Sequence, residues 1–281
     1  MYLSHMATTN PLGSSTQFLS RTDGRIAYDV TGEGPLVVLV PGMGDLRATY
    51  RFLAPALVSA GYRVVTTDLR GHGESDPTFS SYGDVETAGD VIALLEALGG
   101  PAVVVGNSMG AGAAAYAAAE RPDLVCGLVL VGPFVRNGSI SAATRLMMRV
   151  ALATPWAATT WKSYAPKLYA GTRPADFDTY LPEVVASIKR PGYARSFSLT
   201  TRVDHAAAEA RLGEVSAPVL VVMGEQDPDF PDPRAEADWI GAALHGRVVM
   251  VPDAGHYPQS QQPDVVSSAV VEFLDEAGLR G

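Results

Sequence analysis

Short runs of aliphatic residues recur along the chain, at 36–40, 63–67, 102–105, 128–131, 219–223 and 248–251. They are too short for packed helices and mostly apolar at every position, the pattern of strands buried on both faces of a parallel sheet. Residues 17–20 and 25–30 alternate more and read as an opening antiparallel hairpin. Helical spacing of apolar positions fills the gaps at 49–60, 85–98, 111–120, 235–243 and 265–277. Strands alternating with helices predict an α/β fold: an eight-stranded, mostly parallel sheet with helices on both faces.

The alternation breaks once, between Pro133 and Leu212, where helix-like stretches such as 141–153 are punctuated by Pro155, Pro166, Pro174, Pro182 and Pro191. The expected organisation is a core of residues 11–133 and 212–281, a helical insertion at 134–211, and a terminal extension at 1–10. The first residues, MYLSHM, read as a vector remnant ahead of a native Met6. The insertion carries Trp156, Trp161 and Tyr164 among its aromatics, and these are the expected lining of an apolar pocket roof.

Chemistry concentrates at VVVGNSMGAGAAAYAAA, residues 103–119: strand, G-x-S-x-G turn, small-residue helix. That layout is a nucleophile elbow with Ser108 at its apex, where glycines at 106 and 110 let the chain reverse sharply. The Met109 N–H opens the following helix and is placed to hold an oxyanion. A serine hydroxyl needs a general base and a group that orients that base. His256 follows the 247–251 run in a turn before the last helix, at the carboxyl end of a late strand, where α/β sheets carry ligands. His72 sits in a turn after an earlier strand and reads as structural. The third member is expected at Asp227, in the loop after 218–223, with Glu225, Asp229 and Asp232 as local alternatives.

Serine, acid, histidine is the chain order of one fold among those that share this triad, and here the chain resembles the α/β-hydrolase superfamily along nearly its whole length. The stretch Pro41-Gly42-Met43-Gly44-Asp45 resembles that family's oxyanion loop, which implies the Met43 N–H as second donor; Pro41 stands where the family often has histidine. Asp68 to Ser75 resembles its turn after the next strand, and the insertion resembles its helical cap. The resemblance implies a serine hydrolase acting through Ser108, His256 and Asp227 on a small to medium, largely apolar ester, lactone or thioester. Gly42 and Tyr257 complete the expected substrate contacts. Gly106-Asn107-Ser108-Met109-Gly110 also resembles the elbow of carbon–carbon bond hydrolases that act on ring-fission products, with Arg190, Arg195 or Arg202 as carriers for a substrate carboxylate. A cofactor-free lyase or cyclase and a ligand receptor of the same fold remain as alternatives. Dehalogenases and epoxide hydrolases place aspartate at the apex, and here the apex is serine.

Composition narrows this only at the edges. The net charge of −9 argues against nucleic acid and against an anionic membrane surface. The single cysteine, Cys126, cannot form an internal disulfide and is expected as a buried thiol. No Cys/His cluster has metal-ligand spacing and no dinucleotide fingerprint is present, so neither metal nor cofactor is expected. No signal peptide or membrane-length apolar run is evident, which makes cytoplasm the expected location and a small molecule the expected partner. Nothing marks a large exposed apolar lid of the interfacial-lipase kind. Oligomeric state is not legible.

Overall fold

Residues 15–138 and 142–279 are described by a computed structural model. The strands are β1 (Gln17–Arg21), β2 (Gly24–Thr31), β3 (Leu36–Val40), β4 (Arg63–Thr67), β5 (Ala102–Asn107), β6 (Val125–Val131), β7 (Val219–Gly224) and β8 (Arg247–Val251). They form one sheet in the order β1-β2-β4-β3-β5-β6-β7-β8. The β1–β2 and β2–β4 pairings are antiparallel and all the others parallel. Every residue of β3, β5 and β7 is buried, as strands covered on both faces require.

Alternation along each strand sends successive side chains to opposite faces and so builds two cores. Val38, Val40, Val104, Leu130 and Val221 face α2 (Asp84–Leu98), α3 (Met109–Glu120) and α9 (Pro233–Leu244). Val37, Leu39, Val105, Val129 and Val222 face α1 (Leu53–Ser59) and α11 (Pro263–Glu276). The helix expected at 49–60 is split: a short 3-10 turn at Arg47–Tyr50 precedes α1. Helix α3 starts at Met109, two residues before the apolar pattern suggested, directly off Ser108.

Between β6 and β7 lie α4 (Ala142–Ala151), α5 (Ala157–Leu168), α6 (Phe177–Lys189), α7 (Tyr193–Thr200) and α8 (Ala206–Glu209). Trp161, Leu168, Tyr169, Tyr180, Ile188 and Phe197 form a third apolar cluster that takes in Tyr257 from the core. Polar ties seat this insertion on the sheet's carboxyl end. Arg51 holds Asp176 at 2.5 Å, Trp161 Nε1 donates to Gly44 O at 2.9 Å, and Leu168 O accepts from His256 N at 2.8 Å. Tyr180 Oη donates to Asp45, and Arg190 donates to Gly73 O. The short helix α10 (Pro258–Gln261) adds Gln261, whose amide donates to Ala170 O and Thr172 O, both at 2.8 Å. Nothing in the sequence marked an exposed apolar face on the insertion, yet the apolar side chains Leu146, Met147 and Val150 of α4 are turned to solvent. The first of the N-terminal residues to be described is Ser15, so the expected extension at 1–10 lies outside the described residues.

Candidate active site

Strand β5 delivers Ser108 to a φ of 56° and ψ of −123°, a left-handed region that a side-chain-bearing residue occupies only at an energetic cost. The surroundings hold it there. Ser108 N donates to Val131 O at 2.9 Å, and its carbonyl accepts from Ala111 N at 3.0 Å and Phe134 N at 3.2 Å. The small residues on either side are sterically required. A Cβ on Gly106 would sit 2.3 Å from Gly110 O, and one on Gly110 would sit 2.5 Å from Pro41 O. Gly42 brings the loop after β3 against the serine so closely that a Cβ there would lie 2.8 Å from Ser108 Cβ.

Strands β7 and β8 are neighbours, so the loops leaving their carboxyl ends meet. Gly224 permits it, since a Cβ there would fall 2.0 Å from Gly255 O. His256 Nδ1 donates to Asp227 Oδ2 at 2.8 Å, with both side chains buried. Of the alternatives for the acid, Asp229 stands second, at 3.8 Å from the same nitrogen, Asp232 caps α9 through Ala235 N, and Glu225 is exposed. Burial alone would pull the imidazole's pKa down, but the Asp227 charge and hydrogen bond, aided by Asp229, outweigh it and raise it to about 9. The Nδ1–H is thereby committed to Asp227, which leaves Nε2 free of that bond and chemically able to exchange a proton. Among the described residues Ser108 Oγ makes no hydrogen bond to that nitrogen, a bond that often tightens only when substrate is present.

Two residues that join these parts were not singled out from the sequence. Asn107 Nδ2 donates to Val131 O at 3.0 Å and to His256 O at 3.2 Å, tying the elbow to the histidine loop. Gln261 Oε1 accepts from Gly255 N at 2.9 Å and braces that loop from the other side. Phe134, just past β6, sets its ring edge-on to His256 with centroids 5.8 Å apart. Asn107 adjoins the apex serine and was discoverable from the elbow motif; Gln261 was not.

The other expected contacts divide. Met109 is the first residue of α3, so its N–H belongs to the unsatisfied first turn. Met43 follows Gly42 and is half-buried in the same loop, which Trp161 steadies through Gly44 O. Tyr257 is buried, stacked on Tyr169 at 4.7 Å and edge-on to His256 at 5.2 Å. Tyr164 lies on the rim and donates its hydroxyl to Asp229 Oδ1 at 2.5 Å. Trp156 is a correction: the residue is 49% exposed and its Nε1 donates to Val150 O at 2.7 Å. It stands at the N-terminal end of α5, outside the aromatic cluster that it was expected to join. Arg195 and Arg202 are exposed, and Arg190 is committed to Gly73 O and stacked on Tyr193.

His72 is buried with Nδ1 donating to Arg70 O at 3.0 Å, as a structural turn residue. With Gly44, Asp45 and Phe197 it lines a small cavity under the insertion, with room for about one water molecule. Cys126 is only half-buried, and that burial pushes its thiol pKa up, so it stays protonated at neutral pH. Asp227, Asp229 and His256 also place one ligand atom each within 4.8 Å of one another, the spread of a cation site. Their atoms are already engaged: Asp227 accepts from His256 and from Asp229 N at 3.0 Å, and Asp229 accepts from Tyr164.

Known proteins extend this picture. The chain is 26% identical over 276 residues to a 2-(acetamidomethylene)succinate hydrolase of Mesorhizobium japonicum, covering 93% of this chain and 97% of that one. It is 29% identical to a 2-hydroxy-6-oxo-6-phenylhexa-2,4-dienoate hydrolase of Comamonas testosteroni, over 90% of this chain and 92% of the relative. Among solved structures the enol-lactonase of Burkholderia xenovorans LB400 superposes with a TM-score of 0.79 at 22% identity, over 92% of this chain and 100% of that one, a likeness of fold. Residues 37–269 match the model of the alpha/beta hydrolase family, spanning the serine, the histidine–aspartate pair and the inserted helices, and the chain belongs to that family.

Proposed function

We propose that the protein is a serine hydrolase that cleaves a small to medium, largely apolar ester, lactone or thioester through an acyl-enzyme. The observation that carries this reading is the combination of Ser108 at a strained apex with a buried His256–Asp227 pair bonded at 2.8 Å. Ser108 Oγ attacks the carbonyl carbon as His256 Nε2 takes its proton, and the imidazolium that forms is stabilised by Asp227. The same nitrogen returns the proton to the leaving group, and water repeats the sequence to release the acid. The Met43 and Met109 N–H groups hold the tetrahedral oxyanion, each worth on the order of 3 kcal/mol of transition-state stabilisation. These steps call on no cofactor. The insertion acts as the cap that excludes water and selects the acyl group.

The test is intact mass after exposure to a fluorophosphonate. Wild type gains a single adduct and folded Ser108→Ala gains none; an adduct on both, or on neither, contradicts an activated Ser108.

Carbon–carbon bond cleavage is the second reading, favoured by relatives of that activity such as the Comamonas testosteroni hydrolase. The arginines expected to meet a substrate carboxylate weigh against it, because two are exposed and the third is held by a backbone carbonyl. Turnover of a vinylogous 1,5-diketone acid faster than simple esters reverses that preference.

A further inference from the structure

Helix α4 turns its apolar face outward. Ala143, Leu146, Met147 and Val150 fall at i, i+3, i+4 and i+7, one stripe of a helix. All four are exposed, the last three at 62%, 65% and 57%. Met148 and Trp156 add 42% and 49% exposed surface at its flanks. The inward anchor is Leu152, which joins the aromatic cluster of the insertion. A soluble domain seldom leaves so contiguous an apolar surface without an occupant.

The charge around this stripe indicates which occupant. Between Asp123 and Asp176 the chain has no acidic residue and six basic ones, Arg136, Arg145, Arg149, Lys162, Lys167 and Arg173, in a protein of net charge −9. Arg149, Lys162 and Lys167 are exposed and have no ion pair among the described residues. A second copy is disfavoured, since a two-fold contact would set these cations against themselves, and the segment brings no carboxylate of its own. An apolar stripe with Arg149 on the same helix, lysines on the helix that follows and Trp156 bonded to its last turn has the composition of a helix that lies in a lipid interface. The overall negative charge does not oppose this, because exposed charges farther away than about 8 Å are screened at physiological salt.

We propose that α4, with Trp156 and the basic side chains of α5, docks on an anionic lipid surface. The site rim is close to that surface: Tyr164, on α5 between Lys162 and Lys167, bonds Asp229, which is 3.8 Å from His256 Nδ1. On the serine-hydrolase reading, on which this step alone rests, the substrate is a lipid-soluble ester drawn from the bilayer. Docking itself requires no turnover.

The experiment is co-sedimentation of the full chain with phosphatidylcholine vesicles, with and without phosphatidylglycerol. Partitioning is expected to be at least tenfold stronger with the anionic lipid, to collapse at about 1 M salt, where the screening length is about 3 Å, and to be unchanged in Ser108→Ala. Leu146→Gln with Met147→Gln abolishes it while circular dichroism and hydrolysis of a water-soluble short ester are retained. Lys162→Glu with Lys167→Glu weakens it severalfold and keeps the test independent of the fold of α4. Equal or negligible sedimentation with both vesicle types overturns the proposal, as does binding that survives the α4 substitutions. A concentration-dependent dimer that these substitutions abolish, without vesicle binding, assigns the stripe to a second copy instead. Failure of fluorophosphonate labelling with vesicle binding intact removes the hydrolase reading alone.

Discussion

Replacing Asp229 by asparagine tests the electrostatics of the candidate site without breaking its hydrogen-bonded pair. Asp227 accepts from His256 at 2.8 Å, whereas Asp229 stands 3.8 Å away and acts through its charge. At that separation two unit charges attract by about 4 kcal/mol for an effective dielectric near 20, a ceiling of about three pH units. The Asp229 side chain is 17% exposed and already accepts the Tyr164 hydroxyl, so its field at the imidazole is diluted, to about one pH unit on this scale. The imidazole's pKa of about 9 has a consequence at neutral pH. Only about one molecule in a hundred then holds the unprotonated base at pH 7. The acid limb of kcat/KM for a p-nitrophenyl ester should therefore rise toward pH 9 in wild type, and about one unit earlier in Asp229→Asn, with little change in the plateau. Asp227→Asn should instead lower the plateau by roughly ten-thousandfold, because it leaves the wrong nitrogen protonated. A wild-type limb at or below the ordinary histidine range would refute the argument. So would an Asp229→Asn profile superposable on wild type, or an Asp227→Asn enzyme with most of its turnover.

Two stability predictions follow from packing and charge. Gly110→Ala puts a methyl group 2.5 Å from Pro41 O and should cost more than about 2 kcal/mol in chemical denaturation, whereas Gly213→Ala, with nothing within 4 Å, should lie within about 0.5 kcal/mol of wild type. Arg47 joins the buried carboxylates of Asp29 and Asp68 and also Glu74, so Arg47→Met strands two buried charges and should lose about 3–5 kcal/mol; a change in melting temperature no larger than that of Arg211→Met, at an exposed pair, would contradict it.

The parts of the fold that follow local rules were legible. Runs such as LVVLV at Leu36–Val40 have no polar face, so only a position covered on both sides suits them, and the sheet places them there. The elbow was legible because steric demand writes itself into composition: Gly106 and Gly110 stand where any Cβ meets backbone. The aspartate paired with His256 was less fixed by the sequence than the elbow. Asp227 and Asp229 both face His256, and only the geometry of the turn, with Asp229 N donating back to Asp227 Oδ1, decides which one makes the close bond. The Arg47 hub was missed because its acids come from two separate segments, Asp29 on β2 and Asp68 with Glu74 in the turn after β4, and sequence distance carries no trace of that convergence.

The insertion shows where such reading stops. Periodicity identifies which side of a helix is apolar but not what covers it, and Trp156 and Trp161 illustrate the difference within one helix. Five residues apart, they lie more than a quarter-turn from a common face at 100° per residue. Trp161 enters the cluster beneath α5 and reaches Gly44, while Trp156 stays outside against Val150. The same ambiguity applies to α4, whose i, i+3, i+4, i+7 stripe marks an apolar side without saying what covers it. Its exposure, in a stretch free of acidic residues, is an observation only the folded chain supplies. It also bears on the sequence-based argument against a membrane, which rested on total charge. Contact with a surface is governed by charges within about one screening length of it, and the segment that carries the stripe, residues 124–175, holds basic residues and no acidic one, unlike the chain whose sum is negative.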